Sequence, residues 1–199
     1  MIESKRKVIR PFSMGRENQL VVLREIRANK PISRAQIAVN TGLSKPSVAR
    51  AVEQLLNEGL VFEKNFLGTY SELGRKPRGL VFNARAGFFQ TVDIGGTEIN
   101  FALGDLSGTI ITTLTLKNPC RHWDELVKFV SRGIEKLIRI SHTSPEKVRG
   151  IAVGAQGVVD IERGTVTSAP NIEDPGEYPL KAQLEKRISI PIWVENDVN

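Results

Sequence analysis

Gly42 is the residue on which the organisation of the first third of the chain turns. It lies between two short segments of helical apolar spacing, and glycine alone takes a positive φ there without steric cost. Upstream, Ser33 is placed to cap a helix whose apolar positions are Ala35, Ile37 and Ala38. Downstream, Ser44 is placed to cap another, with Pro46 tolerated in its first turn. Val48, Ala51, Val52, Leu55 and Leu56 form the buried stripe of that helix, and Gly59 closes it. An earlier helix is expected over Arg16–Ala28, with Leu20, Val21, Leu23 and Ile26 on its apolar face. Asn29-Lys30-Pro31 ends it, because the residue before a proline resists helix. Two helices joined by a short glycine-bearing turn form the helix-turn-helix unit, whose second helix enters the major groove of duplex DNA.

At the start of that second helix the solvent-facing side chains are Lys45, Ser47 and Arg50, next to the cap Ser44. Lysine and arginine donate to guanine acceptors, and serine serves base or phosphate. Arg34 and Thr41 are expected nearer the DNA backbone. After Gly59, two short apolar runs, Leu60-Val61-Phe62 and Leu80-Val81-Phe82, flank a Gly/Pro-rich stretch containing Arg75, Lys76 and Arg78. That pattern predicts a β-hairpin wing, whose basic tip suits a narrow minor groove. Charge agrees: residues 1–85 hold 16 Lys+Arg against 7 Asp+Glu, whereas residues 86–199 hold 12 against 15. The partner implied for the first block is double-stranded DNA. The competing interpretation is a small helical packing domain with a solvated basic loop.

From residue 86 the pattern changes to strands. Phe88–Ile94, Ile99–Leu106 and Ile110–Leu116 are separated by tight turns and predict an antiparallel meander. An amphipathic helix follows over about His122–His142, then a strand at Val148–Val153 and a glycine loop at Gly154–Gly157. A short helix at Pro179–Ile188 and a strand at Ile190–Val194 complete an α/β layer of mixed strand direction. Asp93-Ile94-Gly95-Gly96-Thr97 is the sharpest motif of this block. Its glycines and threonine could bring backbone N–H groups and a hydroxyl to a phosphate; equally, the string could be only a hairpin turn.

VDIGGTEINFALGDLSGTII resembles the first phosphate motif of the actin-like sugar-kinase fold. GAQGVVD, SAPNIED and WVENDVN then resemble, in order, the sugar-site motifs of the ROK family of repressors, open reading frames and kinases. GLSKPSVARAVEQLLNEGLV and GRKPRGLVFN resemble the repressor branch. The resemblance implies an α/β fold class: an all-α-plus-wing domain at 1–85, then part of an actin-like, ribonuclease H-like lobe at 86–199. It also implies that Gly157, Asn171, Asn196 and Asp197 read sugar hydroxyls, and that Asp93, Gly95, Gly96 and Thr97 form the phosphate motif. In the family's kinases the aspartate matching Asp197 is the catalytic base; in its repressors the pocket senses the sugar.

Two departures bear on catalysis. Glu98 stands where the kinases usually have lysine after G-G-T, and the string E-N-D lies almost at residue 199, where the family continues into a second lobe. That lobe carries the adenosine and zinc sites, so no cofactor is expected of this chain, and ATP with magnesium only if it is a kinase. His122 and His142 are expected as surface or helix-end residues. No apolar run is long enough to span a membrane, the basic residues 1–18 lack the apolar central stretch of a secretory signal, and Cys120 is the only cysteine; a cytoplasmic protein is expected. Three functions follow: a sugar-responsive regulator acting as a homodimer or higher oligomer, a sugar kinase with an added DNA-binding domain, or a truncated DNA-binding product.

Overall fold

The computed structural model describes residues 11–65, 78–173 and 176–197, and the chain divides into two compact units, Met1–Asn83 and Ala84–Asn199.

In the first unit, helices α1 (Pro11–Ala28), α2 (Arg34–Thr41) and α3 (Lys45–Asn57) precede strands β1 (Val61–Asn65) and β2 (Arg78–Phe82). Both expected caps form: Ser33 accepts from the Gln36 N–H, and Ser44 accepts from the Ser47 N–H. Gly42 closes α2 at φ 70°. β1 and β2 pair antiparallel, Val61 opposite Phe82, as a wing requires. The Ile32 and Leu80 backbones exchange hydrogen bonds of 3.2 and 2.7 Å, stitching the segment before α2 to the wing. Ile26, Ile37, Val52, Leu55 and Leu80 are fully buried at the centre of this unit.

Two expectations for α1 need correction. The helix begins five residues earlier, at Pro11, a residue favoured in a first helical turn because its missing N–H has no partner there anyway. Its inner face is Val22 and Ile26, whereas Leu20 and Val21 are exposed. Each residue turns the helix by about 100°, so shifting the inner row by one or two positions brings Leu20 and Val21 to the outside.

In the second unit, a five-stranded sheet has the order β5-β4-β3-β6-β9. Strands β3 (Phe88–Ile94), β4 (Glu98–Asp105) and β5 (Ile110–Lys117) form the antiparallel meander. Strands β6 (Val148–Ala155) and β9 (Ile192–Asn196) run parallel to β3, joined through helices α4 (Trp123–Ile140) and α5 (Leu180–Glu185). β3 alternates strictly: Phe88, Gln90, Val92 and Ile94 are buried, and Phe89, Thr91 and Asp93 are exposed. α4 packs on β3, β4 and β5. Its Gly133 lets it approach closely, since a methyl there would lie 2.2 Å from the Phe101 ring. Beyond the sequence expectations, β7 (Val158–Asp160) and β8 (Thr165–Ser168) form a separate two-stranded hairpin after the glycine loop.

Gln90 is an exception within this core. It is fully buried, and neither its amide oxygen nor its nitrogen has a hydrogen-bond partner. A buried polar group left unpaired costs about 1–3 kcal/mol. Gln90→Leu is therefore expected to stabilise this unit by about 1–2 kcal/mol, read as a higher urea midpoint at unchanged slope. A lowered midpoint would refute this.

Candidate nucleic-acid interface and ligand crevice

The first site is the surface built by α2, α3 and the wing. The Ser44 and Ser47 hydroxyls lie 2.8 Å apart, so a hydroxyl–hydroxyl bond adds to the Ser47 N–H bond in tying the cap to the first turn of α3. Lys45 and Arg50 are exposed, with no ion pair among the described residues, while Val48, Ala51, Val52 and Leu55 hold the opposite face in the core. Thr41 is engaged locally: its hydroxyl donates to the Ile37 carbonyl at 2.6 Å and accepts from the Leu43 N–H at 3.4 Å. Arg34 and Arg78 meet at a residue the sequence did not single out. Glu63 Oε1 lies 2.8 Å from Arg34 Nη1, and Glu63 Oε2 lies 2.8 Å from Arg78 Nη1. The Arg78 and Arg34 guanidiniums hold the Glu63 carboxyl below its ordinary range. Arg75 and Lys76 lie outside the described residues.

The second site lies at the carboxyl ends of β3, β6 and β9, where parallel strands leave a crevice. The turn Gly95–Thr97 closes as a hairpin, with the Gly95 N–H donating to the Glu98 carbonyl at 2.9 Å. Asn171 sits directly over it: a side chain on Gly96 would come within 2.4 Å of the Asn171 amide nitrogen. Asn171 donates to Gln156 Oε1 at 2.6 Å, and Asn196 donates from its side chain to the Gly157 carbonyl. The Asp197 N–H donates to the Ala155 carbonyl at 3.3 Å. These bonds tie Asn171, Asn196 and Asp197 to one four-residue loop, Gly154–Gly157. Beside it lies a cavity of about 20 Å³, lined by Gly95, Gly96, Asn118, Trp123, Gln156 and Asn171, which is room for about one water molecule.

Asp93 faces a different way. Its carboxylate accepts from Asn100 at 3.3 Å on the exposed face of the sheet, in register with Gly154 and Glu195. Asp197 lies over the same Gly154, its Cα and Cβ 3.8 Å from where a methyl on that glycine would stand. Asp93 and Asp197 thus flank one glycine. Asn118 and Gln156 are the crevice amides that sequence reasoning missed. Asn118 donates to the Gly95 carbonyl at 2.8 Å and so fixes the glycine turn. Asp105 has a structural role, accepting from the Ser107 N–H and hydroxyl and from the Thr109 N–H to close the β4–β5 turn. The Ser107 hydroxyl lowers its pKa. His122 precedes α4 and approaches Glu173, and His142 follows α4 at φ 53°. Cys120 is buried, and desolvation, with Glu125 nearby, pushes its thiol up. Among the described residues no group of three or more His, Cys, Asp or Glu could hold a metal ion, and no helix is long and apolar enough to cross a membrane.

Comparison with known proteins covers both units. A model for winged helix-turn-helix DNA-binding domains matches residues 16–61. The xylose repressor of Bacillus subtilis is 34% identical over 187 residues, covering 92% of this chain and 46% of the repressor. A glucokinase of Streptomyces coelicolor is 36% identical over 108 residues, covering 54% of this chain and 32% of the enzyme. The crystal structure of a ROK family transcriptional regulator, described as a homologue of the Escherichia coli Mlc protein, superposes with TM-score 0.72 at 22% identity. It covers 92% of this chain and 46% of that one, and it shares the fold. The chain therefore spans about half the length of the xylose repressor and of that regulator. The ROK family model matches residues 89–199, more than half of the chain, and with the winged helix-turn-helix region before it the chain belongs to the ROK family.

Proposed function

We propose that the chain is the DNA-binding and sugar-sensing part of a transcriptional repressor of carbohydrate-utilisation genes. The observation that carries this is coverage: similarity to the xylose repressor spans 92% of this chain, enough to run through both units, whereas similarity to the glucokinase spans 54%. Residues 1–85 bind the operator and residues 86–199 bind the sugar. Lys45, Ser47 and Arg50 read base edges. Arg34, Arg75, Lys76 and Arg78 meet phosphates or the minor groove, and Ser44 and Thr41 shape the turn that aims α3. The repressor acts in the cytoplasm as a homodimer on a two-fold related operator.

Gly157, Asn171, Asn196 and Asp197 form the sugar-reading set. A sugar is far larger than the 20 Å³ cavity, so it lies in the open crevice beside it. There the amides now engaged with Gln156 and Gly157 can turn to sugar hydroxyls. Sugar binding shifts the population between DNA-binding and non-binding arrangements. The glycine turn Gly95–Thr97 serves here as scaffold for Asn171, while Asp93 stays on the exposed face of the sheet with Asn100.

The test is a titration of the full chain against duplexes selected from a randomised library, at several salt concentrations, with and without xylose, glucose and other monosaccharides. Binding that weakens with one sugar is expected, and xylose is the first candidate. DNA binding indifferent to every sugar would remove the sensing half of the proposal. Sugar-dependent ATP consumption would favour the kinase instead, to which the pairing of Asp93 and Asp197 around Gly154 lends the one specific support.

A further inference from the structure

Glu63 is the only acid on the described strands of a wing that otherwise carries Lys64 and Arg78. An acid on a surface that meets DNA repels phosphate unless its charge is covered. Here both oxygens are covered, each by a different arginine at 2.8 Å. Arg34 is the first residue of α2 and Arg78 the first of β2, so a single carboxylate links helix to wing. The arginine side chains stay 40% and 54% exposed, against 24% for Glu63. Each guanidinium spends one of its five N–H donors on the carboxylate and keeps the others for solvent or a further anion. Two cations and one anion leave the cluster net positive.

We propose that Glu63 is a positioning residue for DNA binding, holding the Arg34 and Arg78 guanidiniums as a fixed pair that grips the phosphate backbone. The proposal rests on the DNA-binding reading above. Long arginine side chains lose conformational freedom when they bind, and holding them beforehand removes part of that loss. The carboxylate acts on geometry and leaves the number of cations unchanged.

The test compares wild type with Glu63→Gln and Glu63→Asp on a duplex selected by the wild-type chain, with the folded fraction checked by circular dichroism. Glutamine keeps the size but offers one arginine a donor in place of an acceptor. It is expected to weaken binding about tenfold at fixed salt, while the slope of log K against log salt stays the same. Aspartate, which keeps the charge, is expected to recover part of the loss. In a Glu63→Gln background, Arg34→Ala should cost less than it does in wild type, since the pair is already released. Equal or tighter binding by Glu63→Gln overturns the proposal, as does a loss that merely tracks unfolding or a salt slope that changes. If the wild-type chain binds no duplex at all, the DNA-binding reading falls and this proposal with it; if wild type binds and the Glu63 variants bind equally well, the proposal alone falls.

Discussion

Arg50→Ala is expected to weaken binding to a selected duplex by about 1–3 kcal/mol, roughly 5- to 150-fold, while binding to scrambled DNA changes little. The expectation follows from where α3 places the side chain. Ser44 fixes the start of the helix, and Val48, Ala51, Val52 and Leu55 fix its rotation by burying one face. Ser47 and Arg50, three residues apart, lie on the other face, one turn above each other. Arg50 is exposed and makes no ion pair among the described residues, so its removal leaves no buried group unpaired and should not alter folding. Arg34 and Arg78 differ: Glu63 holds both, and neither lies on the helix expected in the groove. Substituting either should lower affinity for all sequences alike and flatten the salt dependence by about one unit each. Titration of selected and scrambled duplexes at matched salt separates the two behaviours. Equal losses on both duplexes would make Arg50 a phosphate contact; no loss on either would mean that α3 does not read the groove as placed here.

The first unit could be read from its sequence because its signals are local. Ser33, Gly42, Ser44 and Pro46 each act within four residues, and each does in the structure what its chemistry prescribes. The meander was legible for the same reason, since tight turns at Gly95 and Gly108 leave antiparallel pairing as the short connection. The α1 face was misjudged because Leu20 and Val21 are as apolar as Val22, and only the neighbours of the folded helix decide which faces inward. The hairpin β7–β8 was missed because its strands are three and four residues long and Val158 is exposed, so no alternation stands out. Glu63 gave no sign of its partners, which stand 29 and 15 residues away. In the crevice, the motifs named Asn171 and Asn196, but the amides they sit against emerge only from the loop's course. Gln156 faces Asn171 from 15 residues away, and the Gly157 carbonyl faces Asn196 from 39.

That same loop carries the second large effect. Gly157→Ala is expected to abolish the response to sugar while DNA binding without sugar persists. Gly157 sits at φ 107°, and a methyl there would stand 1.5 Å from the Ser168 carbonyl oxygen and 3.2 Å from the Ala169 Cα. The obstacle is backbone, and it belongs to the β8 end that pairs with Val158, so it cannot rotate away. The loop must therefore move. Its displacement shifts the Gly157 carbonyl away from Asn196 and carries Gln156 away from Asn171, so one methyl disturbs three of the four residues proposed to read the sugar. Overpacking of this kind costs about 1–3 kcal/mol, and the unfavourable φ costs about as much again. The first unit has its own core around Ile26, Ile37, Val52 and Leu55, which keeps α3 and the wing in place. Gly176→Ala is the matched control: its φ is 100°, but nothing lies within 4 Å of the added methyl, so it carries the backbone strain without the collision. Urea unfolding should separate the variants, with Gly157→Ala the less stable. Sugar titrations should then show Gly176→Ala responding like wild type and Gly157→Ala not at all. A Gly157→Ala protein that still releases its duplex on adding sugar would place the effector somewhere other than this crevice.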